Sequence, residues 1–107
     1  MKYQVLALRR AEADVRQITH WIAERSPQGA NSWLDAYEQL IERLSTNADE
    51  CPAALEDTDC QPALKQALFA TRRGRAYRAV FTIAGDEVRI LRVRGPGQPP
   101  LQEDELW

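Results

Sequence analysis

Arg75-Ala76-Tyr77-Arg78-Ala79-Val80-Phe81-Thr82-Ile83-Ala84-Gly85-Asp86-Glu87-Val88-Arg89-Ile90-Leu91-Arg92-Val93-Arg94 is the stretch whose reading decides the fold. From Tyr77 to Ile83 the residues alternate, with Tyr77, Ala79, Phe81 and Ile83 on one face and Arg78, Val80 and Thr82 on the other. A period of two belongs to a strand. Gly85-Asp86 then supplies the two residues that a tight hairpin needs. The return strand, Glu87 to Arg94, places Val88 and Ile90 on one face and Leu91 and Val93 on the other. Strands that are apolar on both faces belong inside a sheet, so each side of this hairpin needs a cover.

Upstream of the hairpin, residues 65–71 (Lys-Gln-Ala-Leu-Phe-Ala-Thr) read as a third, weaker strand. Arg72-Arg73-Gly74-Arg75 is the turn that joins it to Tyr77. Before that lies Ala48 to Pro62, which has no period and holds two prolines, both cysteines and five acids. Such a stretch is a loop, and its length makes it either functional or mobile.

The first half has a helical rhythm instead. Ala11, Val15, Ile18 and Ile22 recur at three- and four-residue steps, which predicts a helix from about Arg10 to Arg25 with Trp21 widening its stripe. Ser26-Pro27 punctuates it. Serine is a good N-cap and proline is accepted in the first helical turn, so a second helix starts there. Its stripe is Ala30, Trp33, Leu34, Tyr37, Leu40, Ile41 and Leu44. The short break makes the two helices an antiparallel hairpin. Residues 3–8 alternate again and read as a first strand with much of both faces covered. The expected fold is therefore α+β, in the order β-α-α-β-β-β, with a helical hairpin packed on an antiparallel sheet.

One domain over 1–107 is expected, with 1–94 as its core and 95–107 as a Gly/Pro-rich and then acidic tail. A chain of this length buries roughly 65% of its unfolded surface, enough for one core without staples. In the tail, Gly95-Pro96-Gly97-Gln98-Pro99-Pro100 cannot extend a ladder and reads as extended, with docking expected through Leu106 and Trp107. Hydrophobic residues make up 44% of the sequence and charged ones 28%, as in ordinary globular domains. No apolar run approaches the ~20 residues of a membrane helix. The apolar start is too short for a signal peptide, so a cytoplasmic protein with no membrane partner is expected.

Other chemistries are excluded by what they require. A zinc site needs about four ligands at tight spacing, against Cys51, Cys60 and the single His20 here, so no metal is expected. A reducing cytosol argues against a Cys51–Cys60 bridge, and both thiols read as loop residues. One histidine in a helical stripe gives no nucleophile–base pair, so His20 reads as a surface or core-rim residue. No cofactor is called for.

The net charge of −2 hides an asymmetry. Residues 1–62 carry six Lys/Arg against eleven Asp/Glu, whereas 63–101 carry eight (Lys65, Arg72, Arg73, Arg75, Arg78, Arg89, Arg92, Arg94) against Asp86 and Glu87 alone. Glu103, Asp104 and Glu105 restore acidity at the end. The basic half points to an anionic partner, or to arginines that only solvate a sheet face.

The order of elements and the wording of the sequence resemble the RelE/ParE toxin superfamily over roughly residues 3–94. Ala11-Glu12-Ala13-Asp14-Val15 with Ile18 and Trp21-Ile22-Ala23 resembles its first helix. Ser26-Pro27 with Ala30, Trp33 and the Leu40-Ile41-Leu44 run resembles its second, and Arg75 to Val93 its central hairpin. The resemblance implies the toxin half of a type II toxin–antitoxin (plasmid-stabilisation) pair, silenced by a cognate antitoxin. RelE-like members cleave messenger RNA on the ribosome, whereas ParE-like members poison DNA gyrase.

Cleavage of that kind needs a base, an acid and cations for the charge developing on phosphorus. The resemblance puts Arg78 at the arginine of the family's Tyr-Arg strand motif, with Lys65 and Arg94 as further candidates for a nuclease site. Past the last strand, where the resemblance implies further basic residues and a terminal Tyr or His in nuclease members, Gly95 to Leu101 offers neither base nor acid, and Trp107 cannot transfer protons as those residues do. The sequence is thus nearer to ParE-like members, which ask only for a binding surface. Arg72, Arg73, Arg75, Arg78, Arg92 and Arg94 are the candidates for it. An endoribonuclease, a decayed relative without toxic activity and a plain nucleic-acid-binding module built on the 72–75 turn are the alternatives.

Overall fold

The computed structural model describes residues 2–57 and 63–107. Its elements follow the expected order: β1 (Gln4–Ala7), α1 (Arg9–Ala23), α2 (Pro27–Asn47), a 3-10 turn (Ala48–Glu50), β2 (Lys65–Phe69), β3 (Tyr77–Ala84), β4 (Glu87–Arg94) and a short α3 (Glu103–Leu106).

The helical hairpin forms for the reasons its sequence gives. The Ser26 hydroxyl accepts the Gly29 amide at 3.0 Å and Pro27 opens α2, so one orphan donor is capped and one is never created. Ala30, Trp33, Tyr37, Leu40 and Leu44 form the buried stripe of α2, while α1 buries Ala11 and Asp14. The helices close tightly at Gly29, where a Cβ would stand 3.1 Å from Ser26 Oγ and 3.3 Å from an Ile22 methyl.

The sheet differs from the expected one. It is mixed, in the order β1-β4-β3-β2, because β1 runs parallel to β4. Only β2–β3 and β3–β4 are antiparallel. The helical hairpin separates β1 from the later strands, and this long connection is what permits a parallel neighbour. Val5 lies opposite Val88 and Ala7 opposite Ile90, so the apolar positions on the helix side match. On the other side Leu6 remains 37% exposed, so β1 is covered on one face, not both.

The hairpin turns at Gly85, whose φ of 63° suits glycine. Further along, the register shifts between Val80 and Phe81: Val80 faces Arg92, yet Phe81 faces Ile90. Leu91 is therefore an extra residue, a bulge that resets the alternation of β4. Val93 returns to the helix side with Val88 and Ile90, and Leu91 alone stays on the far side. Strict alternation had paired Leu91 with Val93.

Two apolar layers result. The larger lies under the helices and joins Trp33, Tyr37, Leu40 and Leu44 to Phe69, Phe81, Val88 and Ile90. Beyond the sheet, Val80 and Leu91 meet Ala54, Leu64, Leu101 and Leu106. The segments expected to be loop and tail thus cover the second face. Leu106 is buried as expected, Leu101 is its companion anchor, and Trp107 remains exposed. Cys51 is half-buried with its thiol 3.7 Å from the Asn47 carbonyl. Cys60 lies outside the described residues.

The far layer gives a direct test. Leu91→Ala is expected to lower unfolding free energy by about 2–5 kcal/mol in chemical denaturation, as for a buried leucine. A loss within about 0.5 kcal/mol would mean a solvated far face.

Candidate functional site

An apolar groove of about 780 Å³ opens where the helical hairpin meets the β2–β3 turn. Ile18, Trp21 and Ile22 of α1 form one wall, Gly29 and Trp33 of α2 the floor. Thr71, Gly74, Arg75 and Tyr77, with Gly95, Pro96 and Gln98, form the other wall. The floor is rigid because its rings interlock. Trp33 stacks on Tyr37 with centroids 5.7 Å apart, and Tyr77 meets Trp33 edge-on at 5.4 Å. Phe69 completes the cluster.

Trp21 is 56% exposed at the mouth, with the Arg25 guanidinium 3.9 Å above its ring. A large exposed aromatic beside a concave apolar surface makes this groove a candidate interaction site. Below it, the Trp33 indole N–H and the Tyr37 hydroxyl are buried without a hydrogen-bond partner among the described residues. Burial, with Glu12 and Asp14 nearby, pushes the Tyr37 hydroxyl up to about 12.

The seven cations singled out from the sequence divide into two groups. Arg72, Arg73 and Arg75 sit exposed on the β2–β3 turn, with no hydrogen bond or ion pair among the described residues. Arg75 lines the apolar groove, and Arg72 and Arg73 line a neighbouring polar one with Ser32, Asp35 and Gln39. The other four are engaged by the protein itself.

Arg78 grips Glu56 with both ends of its fork, at 2.8 and 2.5 Å, and reaches Gln66 at 3.3 Å. Arg92 holds Asp14 of α1 at 2.8 and 3.0 Å and donates to the Glu105 carbonyl at 2.6 Å. Arg94 donates to the Pro99 carbonyl at 2.8 Å. Lys65 donates to the carbonyls of Asp49 and Cys51. Of the nuclease candidates, Arg78 and Arg94 are cross-strand partners in β3 and β4, while Lys65 lies on β2 opposite Phe81, and each of the three is engaged by oxygens of the protein itself. His20 stands on the exposed side of α1, 3.1 Å from Glu24.

Sequence reasoning missed the acids that hold these arginines. Asp14 is buried, accepts the Val93 amide at 2.9 Å and ties α1 to β4. Glu56 is buried in the segment read as a featureless loop, and it accepts the Leu101 amide at 2.8 Å as well as Arg78. Burial works to raise the Glu56 carboxyl, but the bonds from Arg78 and the Leu101 amide outweigh it and hold the group below its ordinary range. Asp14 offered one visible signal, an acid inside an apolar helical stripe. Glu56 offered none.

The candidate site is an aromatic groove beside a turn of arginines that have no partner among the described residues, with Arg78 and Arg92 held by internal acids and Lys65 and Arg94 by backbone carbonyls. A family model described as ParE toxin of type II toxin-antitoxin system, parDE matches residues 5–98. No match was found among curated proteins. Among solved structures, the fold is similar to a chain of the chromosomal ParDE TA system from P. aeruginosa. That likeness has a TM-score of 0.63 at 20% identity, and covers 87% of this chain and 95% of that one. The matched span runs from β1 through both helices and the hairpin to Gln98 in the groove wall, and the chain belongs to the ParE toxin family of type II toxin–antitoxin systems.

Proposed function

We propose that this ParE-family toxin acts by binding rather than by catalysis, that its target is DNA gyrase, and that a cognate antitoxin silences it by seating an apolar, acid-flanked segment in the Trp21–Tyr77 groove. The observation that carries the reading is the division of the cations. Among the described residues Arg72, Arg73 and Arg75 are exposed and unpaired, whereas Lys65, Arg78 and Arg94 are held by internal carboxylate and carbonyl oxygens. A guanidinium gripped by a buried carboxylate is not free to stabilise charge on a phosphate, since removing it strands the acid. The exposed turn carries no such cost.

The groove supports the antitoxin half of the reading. Its apolar walls fit apolar side chains, and Arg25 and Arg75 at its edge favour acids flanking them. Aromatic and arginine residues at the centre of a concave patch are the usual anchors of tight complexes.

Induced alone in a bacterium, the chain is expected to slow growth, with co-expression of its antitoxin restoring it. Purified protein is expected to inhibit gyrase supercoiling. Arg72→Ala, Arg73→Ala and Arg75→Ala together are expected to weaken inhibition more than about tenfold while leaving stability within about 0.5 kcal/mol. Inhibition untouched by the triple change removes the turn from the target surface. Ribosome-dependent mRNA cleavage that is lost on Arg78→Ala would replace the gyrase reading with the nuclease one. Normal growth despite verified expression would mark a decayed toxin. For the groove, Trp21→Ala is expected to cost about 2 kcal/mol or more of antitoxin affinity, read by calorimetry.

A further inference from the structure

The C-terminal segment starts in the groove wall and ends on the opposite side of the sheet. Gly95, Pro96 and Gln98 line the groove against Tyr77, where a Cβ on Gly95 would stand 3.3 Å from the ring. The segment closes a turn there, with the Gly95 amide donating to Gln98 Oε1 at 2.5 Å. Gly97, at φ 81°, allows that turn. The chain then runs on past the end of β4 and is pinned on the far side of the sheet. Arg94 holds the Pro99 carbonyl, Glu56 accepts the Leu101 amide, and Arg92 holds the Glu105 carbonyl. Leu101 and Leu106 sink into the far layer.

We infer that Glu56 is a positioning residue for the groove: from the far side of the sheet it seats the C-terminal segment as a strap, and the seated strap sets the Gly95–Gln98 wall against which a partner docks. The physical reason lies in where the strap is held. Between Arg94 and Leu101 the chain is exposed apart from the half-buried Gly95, and it has no ladder to keep it in place. Its groove-side turn makes one short side-chain bond and one long backbone bond, from the Gln98 amide to the Gly95 carbonyl at 3.4 Å, too little by themselves to offset the ordering of several residues. The anchoring energy sits in the far layer, in two buried leucines and one amide donated to a carboxylate that Arg78 already fixes. Loosening the far end therefore frees the near wall. Docking in the groove and seating of the strap are linked, and each favours the other by the same factor.

The inference rests on the groove being the docking surface proposed above, and the test separates the two. Full-length protein, Glu56→Gln and a chain ending at Pro100 are compared by amide hydrogen exchange and by binding of a synthetic helical peptide. The peptide carries leucines on one face and glutamates on the other. In both variants the Gly95 amide is expected to exchange more than about tenfold faster, because the far anchorage of the strap is weakened in one and removed in the other. The Gly95 amide is expected to lose a larger factor of protection than the Val88 and Ile90 amides in the β4 ladder, a difference that a uniform loss of stability would not produce. Peptide affinity is expected to fall about tenfold with them. The shortened chain keeps the Glu56–Arg78 pair and tests the strap's hold on the wall; if Glu56→Gln does not fold, Leu101→Pro, which removes the strap amide that Glu56 accepts, tests the part of Glu56 by the same two readouts. Unchanged Gly95 exchange and unchanged affinity in the variants would overturn the strap while sparing the groove. Failure of the peptide to bind any of the proteins would count against the groove alone, and the exchange result would still decide for or against the strap.

Discussion

One carboxylate joins three parts of the chain that are distant in sequence. Glu56 meets Arg78 of β3 and the Leu101 amide of the C-terminal segment, so the second layer of the sheet is organised around a buried ion pair. Such a pair contributes little net stability, because both ions are stripped of water before they attract each other. Its leverage is in the cost of breaking it, since either partner left alone is an uncompensated buried charge. The apolar contacts of Ala54, Leu64, Leu101 and Leu106 with Val80 and Leu91 provide the affinity of this layer, and the pair fixes where it sits.

The same pairing decides how the charge of the sequence reaches the surface. The C-terminal half is strongly basic as a string of residues, yet in the fold Arg78 and Arg92 meet buried acids from the acidic half, and Arg94 meets a carbonyl. The charge asymmetry was thus partly a folding signal, acids from one half reserved for arginines of the other. The 72–75 turn is the remainder. A ParE-family toxin of this kind presents an aromatic groove and an arginine turn side by side, and both are built on elements that the aromatic cluster makes rigid.

Much of this was legible in the residues. Period and punctuation located both helices and the β3–β4 hairpin, since Ser26-Pro27 and Gly85-Asp86 act locally. Other features arise between segments and leave no local trace. β1 reads as a strand, but its parallel pairing with β4 depends on the path of the chain between them. The bulge at Leu91 breaks the alternation that placed Val93 on the wrong face. Glu56 and Asp14 are ordinary acids until Arg78 and Arg92, 22 and 78 positions away, fold against them. The groove was invisible for the same reason: Ile18, Trp21 and Tyr77 were each read as stripe or strand residues, and only their meeting makes a concave surface.

The central claim is that Arg78 is committed to Glu56 inside the fold and is no part of an open site. A double-mutant cycle with Glu56→Gln and Arg78→Met, read by chemical denaturation, measures that commitment. A coupling free energy of about 1–3 kcal/mol is the predicted result for two groups in one buried network. Additivity within about 0.5 kcal/mol would contradict it, showing two side chains that do not depend on each other.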